Sequence, residues 1–141
     1  MYLYNNDKIL KLISEIRNSI NRLIKIKEIG EDEFIKNQDK IDSTKYNFIV
    51  AIESAINICN HIISQNGFRA PSDYGDAFIV LGEQGAFDEV FVDELRSMVK
   101  FRNRLIHLYW DVDDKQVYSF IHNNLNDFKV FINKITVFLN M

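Results

Sequence analysis

The stretch NDKILKLISEIRNSINRLIKIKEI, from Asn6 to Ile29, sets the helical period that the rest of the chain follows. Ile9, Leu12, Ile13, Ile16, Ile20, Leu23 and Ile24 recur at three- and four-residue spacing, which lays one apolar stripe along a 3.6-residue helix. Asn6 or Asp7 can accept from the free N–H groups of the first turn and cap its start. Gly30 stands where a helix commonly ends on a glycine. A helix apolar on one side must bury that side, so the rest of the chain has to supply matching faces.

It does so with the same period. A second long helix is predicted over Ser43–Gln65, with the stripe Phe48, Ile49, Ile52, Ala55, Ile56, Cys59, Ile62 and Ile63 and a stop at Gly67. A third is predicted over Asp88–Leu108. The last, Asp114–Leu139, should bury Val117, Phe120, Ile121, Phe128, Phe131, Ile132, Ile135 and Phe138. Between these, Glu31–Lys40 is charged and weakly periodic, either a short helix or the ragged start of the next. The segment NGFRAPSDYGD (66–76) has the turn chemistry of a loop in Gly67, Pro71, Ser72, Asp73 and Gly75. A short helix over Asp76–Leu81 follows, broken by Gly82 and Gly85. Asp111, Asp113 and Asp114 form an acidic break in which Asp111 or Asp113 can cap the last helix. Four long helices with short joints, plus a short one, predict an all-α up-and-down bundle.

Composition agrees. The 141 residues suit one domain over 1–141 that hides roughly two-thirds of its unfolded surface. Hydrophobic residues at 47% and charged residues at 26% exclude a disordered chain. Five Gly and one Pro are too few for a many-stranded barrel. The net charge of -3 argues against coating nucleic acid through bulk positive charge. One cysteine, Cys59, excludes an internal disulfide and a Cys-rich zinc site, and it lies on an apolar stripe. Met1–Lys11 is unlike a signal peptide, and no apolar run reaches the ~20 residues that span a bilayer. A cytoplasmic protein with no membrane contact is expected.

One segment departs from plain packing logic. From Arg96 to Arg104 there are four basic residues and no acidic one, and His107, Tyr109 and Trp110 follow at once. At ~100° per residue, Glu94, Met98, Phe101, Leu105 and Leu108 form one side and Leu95, Val99 and Ile106 a second apolar band. Arg102 and Tyr109 fall between the bands. Two apolar faces imply two packing partners, the bundle core and a second copy of the chain, which would put Arg102 and Tyr109 at the mouth of a dimer groove. His107 lies over Asn103, offset from Arg102 by ~140° on an ideal helix. Taken by themselves, an arginine, a histidine and a tyrosine near a helix end commonly serve as cap, packing and solvent groups, and a basic run is often a solvated face.

The string RNRLIHLY (Arg102–Tyr109) resembles the R-x4-H-x-Y motif of HEPN-domain proteins, and more narrowly that of the HepT toxins that pair with minimal nucleotidyltransferase antitoxins. AIESAINICNHII (Ala51–Ile63), APSDYGDAFIVLGEQG (Ala70–Gly85) and MVKFRNRLIHLYWDVDDKQVY (Met98–Tyr118) resemble further blocks of that family, in the same order. The resemblance implies a homodimeric, metal-independent endoribonuclease toxin of a type VII toxin–antitoxin system, without a cofactor of its own. Arg102 and His107 would be the catalytic pair. Tyr109 would receive AMP from the antitoxin, with ATP only as the donor. That role mix suits the side chains. Imidazole titrates near neutral pH and moves protons, while guanidinium stays charged and grips phosphate at two points.

Asn103, Arg104 and Glu53 are supporting candidates, Glu53 as a carboxylate that could pair with Arg102 or Arg104. His61 is expected to close a helix-end hydrogen bond, and Tyr74 and Phe78 to pack the loop. No His pair or His/carboxylate cluster has metal-ligand spacing, and no Gly-rich phosphate loop is present. Two other readings remain: a non-catalytic helical module that binds nucleotide or partner, and a DNA-binding regulator. The negative charge and lack of a helix–turn–helix pattern disfavour the latter.

Overall fold

The longest helix begins well before its apolar stripe does. In the computed structural model, which describes residues 1–141, it runs over Gln38–Asn66 (α3), preceded by Asn6–Lys27 (α1) and Glu31–Ile35 (α2). Tyr74–Glu83 (α4), Glu89–His107 (α5), a 3-10 turn at Tyr109–Asp111 and Asp114–Phe138 (α6) complete an all-helical chain. Glu31–Lys40 therefore holds both a short helix and the start of the next. Phe34 decides this. It is fully buried against Tyr118, with ring centroids 5.2 Å apart, and the Tyr118 hydroxyl donates to the Ile29 carbonyl at 2.8 Å. Asn37 then restarts the helix, its side chain accepting from the Lys40 N–H at 3.2 Å.

Other boundaries shift for similar local reasons. Asn5, not Asn6 or Asp7, caps α1, accepting from the Lys8 N–H at 3.1 Å. Gly30 has an ordinary φ of -65° and stands at the start of α2, so it does not close α1. Gly67 closes α3 as expected, with φ 65°, where a side chain would be strained. Asp73 caps α4, which begins at Tyr74, two residues before the expected start at Asp76. Gly82 lies inside α4 rather than breaking it. A Cβ there would stand 2.8 Å from the Val92 Cγ2, so the glycine lets α4 approach α5 closely. Asp113 caps α6, one of the two expected candidates.

α1, α5 and α6 all pack on α3, and α4 packs on α3 and α5. Forty buried apolar residues form one cluster. Two aromatic groups organise it. Phe48 of α3 meets Phe101 of α5 and Phe120 and Phe128 of α6, with Phe101 and Phe120 stacked at 4.1 Å. Phe78, Phe87, Phe91 and Phe131 tie α4 and the start of α5 to α6. The first group fixes the half of α5 that carries the motif.

The loop before α4 is stapled by charge. Arg69 donates to both oxygens of Asp76 (2.8 and 3.1 Å) and both of Glu83 (3.3 and 2.9 Å). Asp76 also accepts from the Ser72 N–H and hydroxyl, and the arginine and these donors hold its carboxyl well below the usual range. No helix is long and apolar enough to cross a membrane.

Candidate active site

α5 does not keep its second apolar band for a second copy as a whole. Leu95 and Val99 are buried within the protomer, in the region that α4 covers. Glu94, read on the opposite apolar side, is exposed. Only the end stays open, where Ile106 is 40%, Leu108 51% and Trp110 80% exposed.

Arg102 is drawn inward. Its Nε and an Nη both donate to one oxygen of Glu53, at 3.2 and 2.6 Å, and its other Nη donates to Asn103 Oδ1 at 3.0 Å. The guanidinium carbon lies 4.9 Å from the Tyr74 ring centroid, a cation–π contact that orients the fork without saturating it. Three of its five N–H groups are thus engaged within the protomer. Glu53, Ile56, Asn57, Tyr74 and Arg102 line a cleft of about 190 Å³. Beside it, Tyr74, Arg96, Lys100 and Asn103 border a second of about 200 Å³. Glu53 therefore pairs with Arg102 and not with Arg104, which donates instead to Gln116. Tyr74 is half exposed whereas Phe78 is buried. The expectation that both pack the loop gives way to other partners: Tyr74 lies against the Arg102 guanidinium, and Phe78 packs in the core against Phe87 and Phe131.

His107 ends α5, exposed and without a hydrogen-bonding partner. The helix breaks at Leu108 (φ -130°, ψ 39°), and this takes Tyr109 off the register that placed it beside Arg102. Its phenol donates to Asp42 Oδ1 at 2.5 Å. The Lys45 ammonium donates to its carbonyl at 2.8 Å and lies 4.2 Å from its ring centroid. Asp42 and Glu53 are eleven positions apart on α3, about 16 Å along a helix axis. Arg102 and Tyr109 are thus anchored at separate places, and neither hydrogen-bonds to His107. Burial and the Asp42 carboxylate push the phenol above its usual range, while the phenol and Gln38 hold Asp42 below its own.

Asp42, Gln38 and Lys45 were not singled out from the sequence. A signal was there: Lys45 occupies the apolar row Ile41, Lys45, Phe48, Ile52, where a lysine is out of place, and it is indeed buried. His61 accepts at Nε2 from the Asn5 N–H at 2.8 Å, closing the start of α1 as anticipated. His122 is exposed and rests on Tyr118. Cys59 is fully buried, which pushes its thiol up. No three His, Cys, Asp or Glu side chains converge as metal ligands. A larger cleft of about 390 Å³ between α4 and α5, bordered by Glu83, Glu89 and Asp93, contains no motif residue.

A helical bundle that sets an arginine, a histidine and a tyrosine in R-x4-H-x-Y spacing around one helix end is a protein of the HEPN class. The chain belongs to the HepT-like family: the profile described as "Ribonuclease HepT-like" matches residues 11–135. That membership makes it an endoribonuclease of the HepT type. The mRNA nuclease HepT of Shewanella oneidensis is 29% identical over 130 residues, 92% of this chain and 97% of that protein. The tRNA nuclease HepT of Aphanizomenon flos-aquae is 25% identical over 120 residues, 85% and 82% of the two chains. The fold matches the tri-AMPylated Shewanella oneidensis HEPN toxin solved in complex with its MNT antitoxin, with a TM-score of 0.87 and 28% identity over 94% of this chain and 99% of that one.

Proposed function

We propose that this chain is the toxin of a HEPN/MNT toxin–antitoxin pair, a homodimer that cleaves RNA without a metal and is silenced by AMP on Tyr109. The observation that carries the reading is the division of the motif. Arg102 is clamped at a cleft with N–H groups to spare, while His107 stands free on the same helix end, rimmed by exposed Ile106, Leu108 and Trp110. A protomer holds one cation and one imidazole that do not meet. Two copies related by a twofold axis through this end would bring two of each together and cover the apolar rim.

The chemistry then follows. The RNA 2′-hydroxyl attacks the adjacent phosphorus and the 5′-oxygen leaves, giving a 2′,3′-cyclic phosphate. One proton must be removed and one supplied, which is work that the two His107 imidazoles can share. The charge gathering on the phosphoryl oxygens is met by Arg102. Glu53, Asn103 and Tyr74 orient that guanidinium. AMP on Tyr109 would add a phosphate and bulk close to the motif and oppose RNA entry. A minimal nucleotidyltransferase is the partner, and ATP only its donor.

The test is incubation of the purified chain with total RNA and a chelator. New ends bearing cyclic phosphate are expected, and they should vanish with His107→Ala. Cleavage retained by that variant would overturn the mechanism. Tight nucleotide binding without cleavage would support the non-catalytic module instead.

A further inference from the structure

We propose that Asp42 is the general base for modification of Tyr109, taking the phenolic proton as the phenol oxygen attacks the α-phosphorus of ATP held by the partner nucleotidyltransferase. The inference rests on the modification reading above and adds what the acceptor protein itself contributes to that reaction.

The geometry is built for a proton acceptor. The Tyr109 hydroxyl points at Asp42 Oδ1, 2.5 Å away, within reach for direct transfer. Gln38 Nε2 donates to the same oxygen at 2.9 Å and fixes the carboxylate plane from one turn earlier. Lys45, buried to 2% exposure, holds the Tyr109 carbonyl and covers the ring face, so it is a positioning residue for the turn. Asp42, braced by Gln38 one turn earlier, and Lys45 on the next turn of α3 thus hold one tyrosine that lies outside any α-helix. Pinning the turn is enough to account for Lys45, but it does not require the phenol to meet an ionised carboxylate rather than a carbonyl.

A phenol is a poor nucleophile until its proton leaves. Here ionisation beforehand is opposed by burial, by Asp42 and by Asp114, so the proton has to depart during bond formation. As the oxygen–phosphorus bond forms, the oxygen becomes far more acidic, and a carboxylate that is a weak base in the ground state then accepts its proton. The catalytic-loop aspartate of protein kinases serves a substrate hydroxyl in this way. The bond from Tyr109 Oη to the α-phosphorus forms, the bond from that phosphorus to the bridging oxygen breaks, pyrophosphate leaves, and the proton goes to Asp42 and then to water. The charged or titratable groups facing the phenol are Asp42 and Lys45 of α3 and Asp114 of α6.

Initial rates of AMP transfer from Mg-ATP, read by intact mass with the cognate nucleotidyltransferase, test this. Asp42→Asn keeps a hydrogen-bond acceptor but cannot take a proton, and should slow transfer about 100-fold near pH 7.5. Because the variant must wait for the ionised phenol, the wild-type to variant ratio should shrink roughly tenfold per pH unit toward pH 9. Asp42→Glu should restore a large part of the rate, and Tyr109→Phe should accept no AMP. Equal rates for wild type and Asp42→Asn, or a slowed variant whose ratio does not change with pH, would overturn the base role while leaving the modification reading intact. A wild-type chain that gains no AMP would instead overturn the modification reading, and the base role with it.

Discussion

Arg69 and Arg102 make a controlled comparison, because each forks onto carboxylate beside α4 and the two do different things. Arg69 has four contacts to four oxygens, on Asp76 and Glu83, and the inner carboxylate is satisfied again by Ser72. Every strong acceptor is met, so the network closes on itself and pins the loop to the helix. Arg102 places two contacts on a single oxygen of Glu53 and a third on a neutral amide. Its charge is only partly offset and its remaining donors face a cleft. The same side chain is a staple where its partners saturate it and, on the function proposed above, a phosphate-binding group where they do not.

Exchanging each arginine for alanine would break this contrast most directly. Arg102→Ala should lower RNA cleavage about 10³-fold, the scale of losing a preorganised charge from a transition state, with little change in melting temperature. Arg69→Ala should do the reverse, lowering the melting temperature and sparing cleavage per folded molecule. Cleavage assays and thermal unfolding on both variants decide it. Loss of activity with Arg69→Ala at full fold would merge the two sites.

The acid side of the staple gives the next effect. Asp76→Ala removes four accepted hydrogen bonds from a buried carboxylate and should cost roughly 2 kcal/mol. Since its folded pKa lies below the ordinary value of 3.8, its contribution is complete above about pH 4 and is lost as pH falls further. Urea unfolding below pH 4 should therefore be steeper in pH for wild type than for Asp76→Asn.

What could be read in the sequence divides along the same line. The stripes of α1, α3 and α6 were legible because a helix repeats its burial locally, and Phe48, Ile52 and Phe131 fall where the period puts them. The start of α3 at Gln38 was not, since residues 36–40 present no apolar period and the helix there rests on the Asn37 cap. At the site, the R-x4-H-x-Y spacing was visible and Glu53 could be suspected. The Tyr109–Asp42 pair could not, because it spans 67 positions and depends on a helix break at Leu108 that no glycine or proline announces. Polar networks are set by tertiary approach, and a single sequence records only one side of each contact.

Glu53 is the sharper test of how an unsaturated arginine is held. Glu53→Gln retains an acceptor but loses the charge that draws the guanidinium to one oxygen. The fork should reorient more freely, and kcat for RNA cleavage should fall about tenfold, or about 1.4 kcal/mol of transition-state stabilisation. KM should move less, because phosphate still meets the same cation. A variant with unchanged kcat would mean that Tyr74 and Asn103 suffice to aim Arg102.

The smallest expected effect concerns a tie that works only while uncharged. His61 Nε2 accepts from the Asn5 N–H and anchors the start of α1 to α3, next to a second tie in which Asn66 exchanges two hydrogen bonds with the Leu3 backbone. A protonated imidazole has no lone pair to accept with. Burial and Lys8 accordingly hold His61 below its ordinary value of 6.5. The sign follows: the unfolded chain takes up the proton first as pH falls below about 6.5, so the contribution is complete above that pH and is lost on acidification. One neutral hydrogen bond sets the scale, about 1 kcal/mol. Between pH 7.5 and 5.5 the wild type should therefore lose a few degrees of melting temperature that His61→Gln, which can accept but does not titrate, does not lose. The Asn66 tie does not titrate in this range, so the loss should appear as a lower hydrogen-exchange protection factor at the Asn5 amide, corrected for the intrinsic rate at each pH, with Leu3 still protected. If Leu3 and Asn5 lose protection together, the two ties act as one unit and the titration of His61 frees the whole N-terminal segment.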